Sequence, residues 1–191
     1  MVKPIEPWFI EYIHDVLVAT VLPFDERVLP GEYRDRKLIE SATGRPFQTA
    51  FGEEVFPTLA AKGAALFHAL ICNHCFFNGN KRTAVISLDL FLVMNGTVFT
   101  MSSDEVYDMA KMTAKANEEK RSLADVMESL TRWIDNAAFD VVRLKTALIG
   151  ANPNVHAQMS ARSFERLRAY WDLAAEGELN DEESQADEEA R

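Results

Sequence analysis

The residue types able to do chemistry concentrate in one stretch, His74-Cys75-Phe76-Phe77-Asn78-Gly79-Asn80-Lys81-Arg82-Thr83-Ala84. Lys81 and Arg82 open a run, Thr83 to Met94, that is apolar almost all round, so both cations must lie at the rim of a buried helix. Free N–H groups at a helix start, a glycine that lets the backbone approach closely and two cations at the same end favour a bound phosphate. His74 ends the preceding helix, and the turn between can fold it back beside the same anion. There a near-neutral imidazole can take a proton from an attacking hydroxyl. Base and phosphate cradle together predict phosphoryl or nucleotidyl transfer. The plainer alternative is a structural histidine followed by two solvated charges. The run is not a Walker A loop, which needs Gly-x-x-x-x-Gly-Lys-Ser/Thr.

The elements that must position this stretch are helical. Trp8, Phe9, Tyr12, Ile13, Val16 and Leu17 make an apolar stripe on an early helix, and Leu59, Leu66, Phe67, Leu70 and Ile71 make another after Pro57. Residues 23–53 are rich in Pro, Gly and charge and read as loop, with a short helix at Asp35 to Ala42 and a small flap near Arg45 to Gly52. Asn95 and Gly96 supply a left-handed cap to the central helix. Ser102 with Glu105 fits a capping box, and a further helix starts after Ser122 and runs through Val126, Leu130, Trp133 and Ile134. Val141, Leu144 and Leu148, then Phe164, Leu167 and Trp171, recur at helical spacing and predict a C-terminal helical extension.

The chain has 191 residues, 48% apolar and 26% charged, with a net charge of -10. Its apolar runs are too short for a membrane span. From Glu176 to Arg191 there are eight acids and one base, so this end carries most of the negative charge, and residues 178–191 are expected to be disordered. The body is nearly neutral, which excludes a surface that coats nucleic acid but not a local triphosphate pocket. The expected organisation is a catalytic domain at 1–136, a helical extension at 137–177 and an acidic tail at 178–191. Two cysteines are too few for a disulfide framework, and the N-terminus has no export pattern, so the cytoplasm is the expected compartment.

At His74 to Ala84 the sequence resembles the Fic/Doc motif, His-x-Phe-x-Asp/Glu-Gly-Asn-Gly/Lys-Arg, and specifically its Doc (death-on-curing) branch, which has Lys at the eighth position followed by Arg-Thr-Ala. His74, Phe76, Gly79, Asn80, Lys81, Arg82, Thr83 and Ala84 match. The resemblance extends back through Arg34 to Ala42, Arg45-Pro46 and Phe56 to Lys62, and forward to about Ile134. It implies an all-α bundle around a buried central helix, acting on ATP with Mg2+. It also implies His74 as general base, Phe76 packed under the loop, and Gly79, Asn80, Lys81 and Arg82 around the phosphates. Lys81 and Val85 favour the Doc branch, whose members transfer the terminal phosphate to a protein hydroxyl, over the branch that transfers AMP.

One position departs from the pattern. The acid that binds the metal is replaced by Asn78, which offers only a neutral oxygen. Three outcomes stay open: weaker metal affinity, recruitment of another acid such as Asp89 or Glu53, or a nucleotide-binding module without chemistry. The resemblance further implies a protein substrate, restraint by an antitoxin, and a flap that aligns the target by strand addition, with Phe47 and Phe51 as contacts. Glu176, in an Asp172 to Gly177 segment that half-matches the family's inhibitory helix, is the candidate for self-inhibition. His68, Cys72 and Cys75 share a helical face, but inert packing is the stronger reading than metal or redox chemistry. His14 is expected to anchor the first helix, and Arg34 and Asp35 to fasten the loop.

Overall fold

The structure, a computed structural model, describes residues 1–21, 27–116 and 118–140, which lie within the compact unit Met1–Val142. Helix α1 (Pro7–Tyr12) begins on a proline, whose missing N–H is no loss at a first turn. It continues as a π-helix, Ile13–Val21. Ile10, Ile13, His14, Leu17 and Val18 are buried, whereas Trp8 and Tyr12, expected on the buried stripe, are exposed.

Helix α2 (Arg36–Gly44) is N-capped by Asp35, whose side chain accepts the Lys37 N–H at 2.9 Å. A 3-10 turn, Arg45–Phe47, leads into a hairpin of β1 (Thr49–Ala50) and β2 (Glu53–Glu54), with Thr49 opposite Glu54 and Ala50 opposite Glu53. This is the expected flap, set a few residues further on, because α2 and its 3-10 extension take up residues 36–47. Lys62 anchors it from below: although buried, its Nζ donates to the Pro46 carbonyl (3.2 Å), pairs with Glu54 Oε1 (3.1 Å) and lies over the Phe47 ring.

Helix α3 (Leu59–Cys72), capped by Thr58, and helix α4 (Asn80–Met94) form the centre. On α4, Ala84, Leu88, Phe91 and Leu92 are fully enclosed, as the all-round apolar sequence predicts. Gly63 lets the two helices approach, since a Cβ there would sit 3.0 Å from Leu88 Cδ1. Gly96, with φ +74°, turns the chain out of α4 into β3 (Thr97–Phe99). Helix α5 (Ser103–Lys115) carries the expected Ser102–Glu105 capping box, and α6 (Leu123–Ala137) is capped by Ser122. Strand β4 (Ala138–Asp140) then pairs antiparallel with β3, Thr97 opposite Asp140.

The fold is therefore all-α: among the described residues there are six α-helices, and strands occur only as two short ribbons. The domain boundary expected at 136 falls inside α6, and β4 keeps residues 138–140 with the first unit because it completes a ribbon with β3. The expected extension at 137–177, apart from these first residues, and the acidic tail at 178–191 lie outside the described residues, as does Glu176. Among the described residues no helix is long and apolar enough to cross a membrane.

Candidate active site

The motif spans the turn between α3 and α4. Asn73 closes α3, and His74 follows with φ +49°, a left-handed conformation that swings the chain away from the helix axis and leaves the imidazole exposed. From Cys75 to Phe77 the chain runs beside residues 32–34. The Arg34 N–H donates to the Cys75 carbonyl (2.9 Å), Tyr33 and Phe76 form a β-bridge, and the Phe77 N–H donates to the Glu32 carbonyl (3.1 Å). The Arg34 guanidinium lies over the exposed Phe77 ring. Arg34 thus fastens the loop, as expected, while Asp35 is spent on capping α2.

Phe76, expected under the loop, is fully buried. Its backbone is gripped by Asn80: the Asn80 Oδ1 accepts the Phe76 N–H (2.9 Å) and the Asn80 Nδ2 donates to the Phe76 carbonyl (2.8 Å). The Asn80 side chain, expected beside the phosphates, is occupied with holding the loop closed. Asn78 Oδ1 accepts the Gly79 N–H at 2.7 Å, and its Nδ2 points to the Arg27 carbonyl at 3.5 Å. Gly79 has φ +79°, and a Cβ there would meet both Val28 methyl carbons at 3.2 Å, so the position admits only glycine without strain.

Beyond Gly79 the backbone turns straight into α4. Helices α2, α3, α5 and α6 each have a side chain that caps the first turn, whereas α4 starts at Gly79 with none. Its leading N–H groups have no intrahelical acceptor and carry the positive end of the helix dipole. Lys81 is exposed and Arg82 partly exposed on that same first turn. The arrangement suits an anion whose oxygens meet backbone N–H groups and one or two cations.

Beneath the loop lies a second layer. His14 from the π-helix stacks face to face on Phe76, with ring centroids 3.9 Å apart. Its Nδ1 lies 2.8 Å from Asp15 Oδ1 and its Nε2 3.2 Å from the Asn78 carbonyl oxygen. Asp15 also accepts the Gly31 N–H (2.9 Å) and the Tyr33 hydroxyl. Burial alone would raise the Asp15 carboxyl, but the hydrogen bonds from His14, Tyr33 and Gly31 outweigh it and hold the group below its usual range. Burial and the same Asp15 contact push the Tyr33 phenol well up. The sequence offers His14 as an anchor of the first helix, and Tyr33 carries no signal there. The contact of His14 with the loop spans 64 positions of chain, and that of Tyr33 with Asp15 spans 18.

The remaining candidates separate from this cluster. Phe51 is exposed at the hairpin tip with φ +54°, while Phe47 packs with Lys62 at its base. Cys75 is enclosed, and burial pushes its thiol up to about 11, which keeps it protonated. Cys72 lies 3.6 Å from His68, and among the described residues no cluster of three or more His, Cys, Asp or Glu could hold a metal ion. At the motif itself, Asn78 brings one neutral oxygen that already accepts the Gly79 N–H. The described donor set does not fit a resident Mg2+.

Fold, motif turn and uncapped α4 together define a helical scaffold whose first turn suits an anion, and comparison gives its class. The model of the Fic/DOC family matches residues 4–92, a span that includes the His14 layer, the loop and most of α4. Toxin Doc of Mycolicibacterium smegmatis is 36% identical over 96 residues, 49% of this chain and 72% of that protein. The chain belongs to the Fic/DOC family and to its Doc branch.

Proposed function

We propose that this chain is a Doc-like toxin kinase of the cytoplasm, which moves the terminal phosphate of ATP to a Ser or Thr hydroxyl of a target protein. The observation that carries the reading is the start of α4, where first-turn N–H groups without a side-chain cap, Gly79 and Lys81 offer a triphosphate what side-chain caps offer α2, α3, α5 and α6. Family membership and the exposed position of His74 one turn away support it. In the proposed step His74 takes the proton of the target hydroxyl as its oxygen bonds to the γ phosphorus. The bond from that phosphorus to the β,γ-bridging oxygen breaks, and ADP leaves. Lys81, Arg82 and the N–H groups of α4 hold the phosphates, and Asn80 keeps their loop in shape. Mg2+ would come with ATP rather than be held by a protein carboxylate, and no step depends on it here. By analogy with the relative named Toxin Doc, an antitoxin is the proposed partner.

A second reading follows from Asn78, whose neutral oxygen is engaged by Gly79: a module that binds nucleotide but has lost transfer. Fic-type transfer of AMP is the third. Incubation with cytosolic extract and ATP labelled separately at the α and γ phosphates separates them. The proposal predicts γ label on a protein band, absent with His74→Ala. Label from the α position instead establishes AMP transfer, and ATP binding without label, gained only by Asn78→Asp, establishes the weakened module.

A further inference from the structure

His14 is a fully buried titratable side chain that neither the base nor the phosphate contacts use. Its ring lies flat on Phe76, with planes 3° apart, and each nitrogen faces one partner, the Asp15 carboxylate at 2.8 Å or the Asn78 carbonyl at 3.2 Å. Both partners only accept. Asp15 already takes the Gly31 N–H and the Tyr33 hydroxyl, and a backbone carbonyl has no proton to give. A ring with a single N–H serves one partner and turns a lone pair on the other. A ring with two serves both, and the charge it then carries is matched by Asp15 beside it and the face of Phe76 below it.

We propose that His14 is a positioning residue of the candidate active site, donating from both ring nitrogens and so fixing the carbonyl of Asn78. That carbonyl belongs to the peptide plane shared with Gly79, whose N–H is turned onto Asn78 Oδ1. Holding the plane sets the direction in which the chain enters α4, and with it the aim of the first-turn N–H groups. The consequence for nucleotide rests on the phosphate-site reading above; the grip itself does not.

The test uses the intact chain with 15N-labelled histidine, comparing the wild type with His14→Phe, which keeps the stack and removes both N–H groups. In the wild type at neutral pH both His14 nitrogens are expected to resonate as protonated. In His14→Phe, amide exchange at Gly79, Asn80 and Lys81 is expected to rise, and ATP affinity to fall by about tenfold, the loss of one charge-assisted hydrogen bond. A singly protonated His14 overturns the proposal, as does a folded His14→Phe with unchanged exchange in the loop. The nitrogen spectrum needs no variant, so a misfolded His14→Phe still leaves the proposal open to refutation. If exchange rises but the wild type binds no ATP, His14 keeps its role and the phosphate reading fails.

Discussion

At Gly79 two demands meet in one residue: a left-handed backbone, and contact with Val28 too close for a Cβ. Gly79→Ala is therefore expected to lose about 1–3 kcal/mol in denaturant unfolding and to weaken any nucleotide binding as well. Asn80→Ala leaves the N–H and carbonyl of buried Phe76 unpaired, and a loss of roughly 1–3 kcal/mol is expected in the same measurement. Asp15 gives the fold an acid sensitivity whose sign follows from its depressed carboxyl. Its contribution is complete above the ordinary carboxylate range and disappears as pH falls through the lower folded value. Thermal melts below about pH 4 should show a steeper loss in the wild type than in Asp15→Asn. The motif residues themselves were legible in the sequence. The work of Asn80 was not, because an amide that holds the backbone and one that meets a ligand look identical in a string of letters.

Among the elements, caps were the most readable feature, since Ser102 and Glu105, or Ser122 and Asp125, act within four residues of each other. The inner face of the first helix was misread because the buried set Ile10, Ile13, His14, Leu17 and Val18 keeps a spacing of three and four but is centred on His14, which turns inward onto Phe76, rather than on the aromatic stripe of Trp8 and Tyr12. The close pairing of α3 with α4 turns on Gly63, and Gly63→Ala would press a methyl against Leu88 at 3.0 Å. A lower melting temperature is the expected outcome, with partial recovery in Gly63→Ala combined with Leu88→Val, which makes room for the methyl. The flap hangs on Lys62, a buried cation that the apolar pattern of α3 hides. Lys62→Met keeps the packing but removes the links to Pro46 and Glu54. The hairpin at 49–54 should then become the first site of limited proteolysis.

For the whole molecule, charge is arranged in two different places. Most of the net -10 falls after residue 175, while the cations proposed to act sit at one helix end in a nearly neutral body. The fold brings three distant segments, residues 13–15, 27–34 and 74–82, to that end, and this convergence is what a linear reading cannot supply. The ribbon of β3 and β4 closes the described domain at the opposite end of α4, beyond its C-cap. The central claim is that His74 acts as the base in transfer of the ATP γ phosphate, and the initial rate of that transfer to a target protein tests it most directly. His74→Ala is predicted to retain ATP affinity and fold while losing at least about a hundredfold in rate. A variant that still transfers γ phosphate within a few-fold of the wild type would contradict the account.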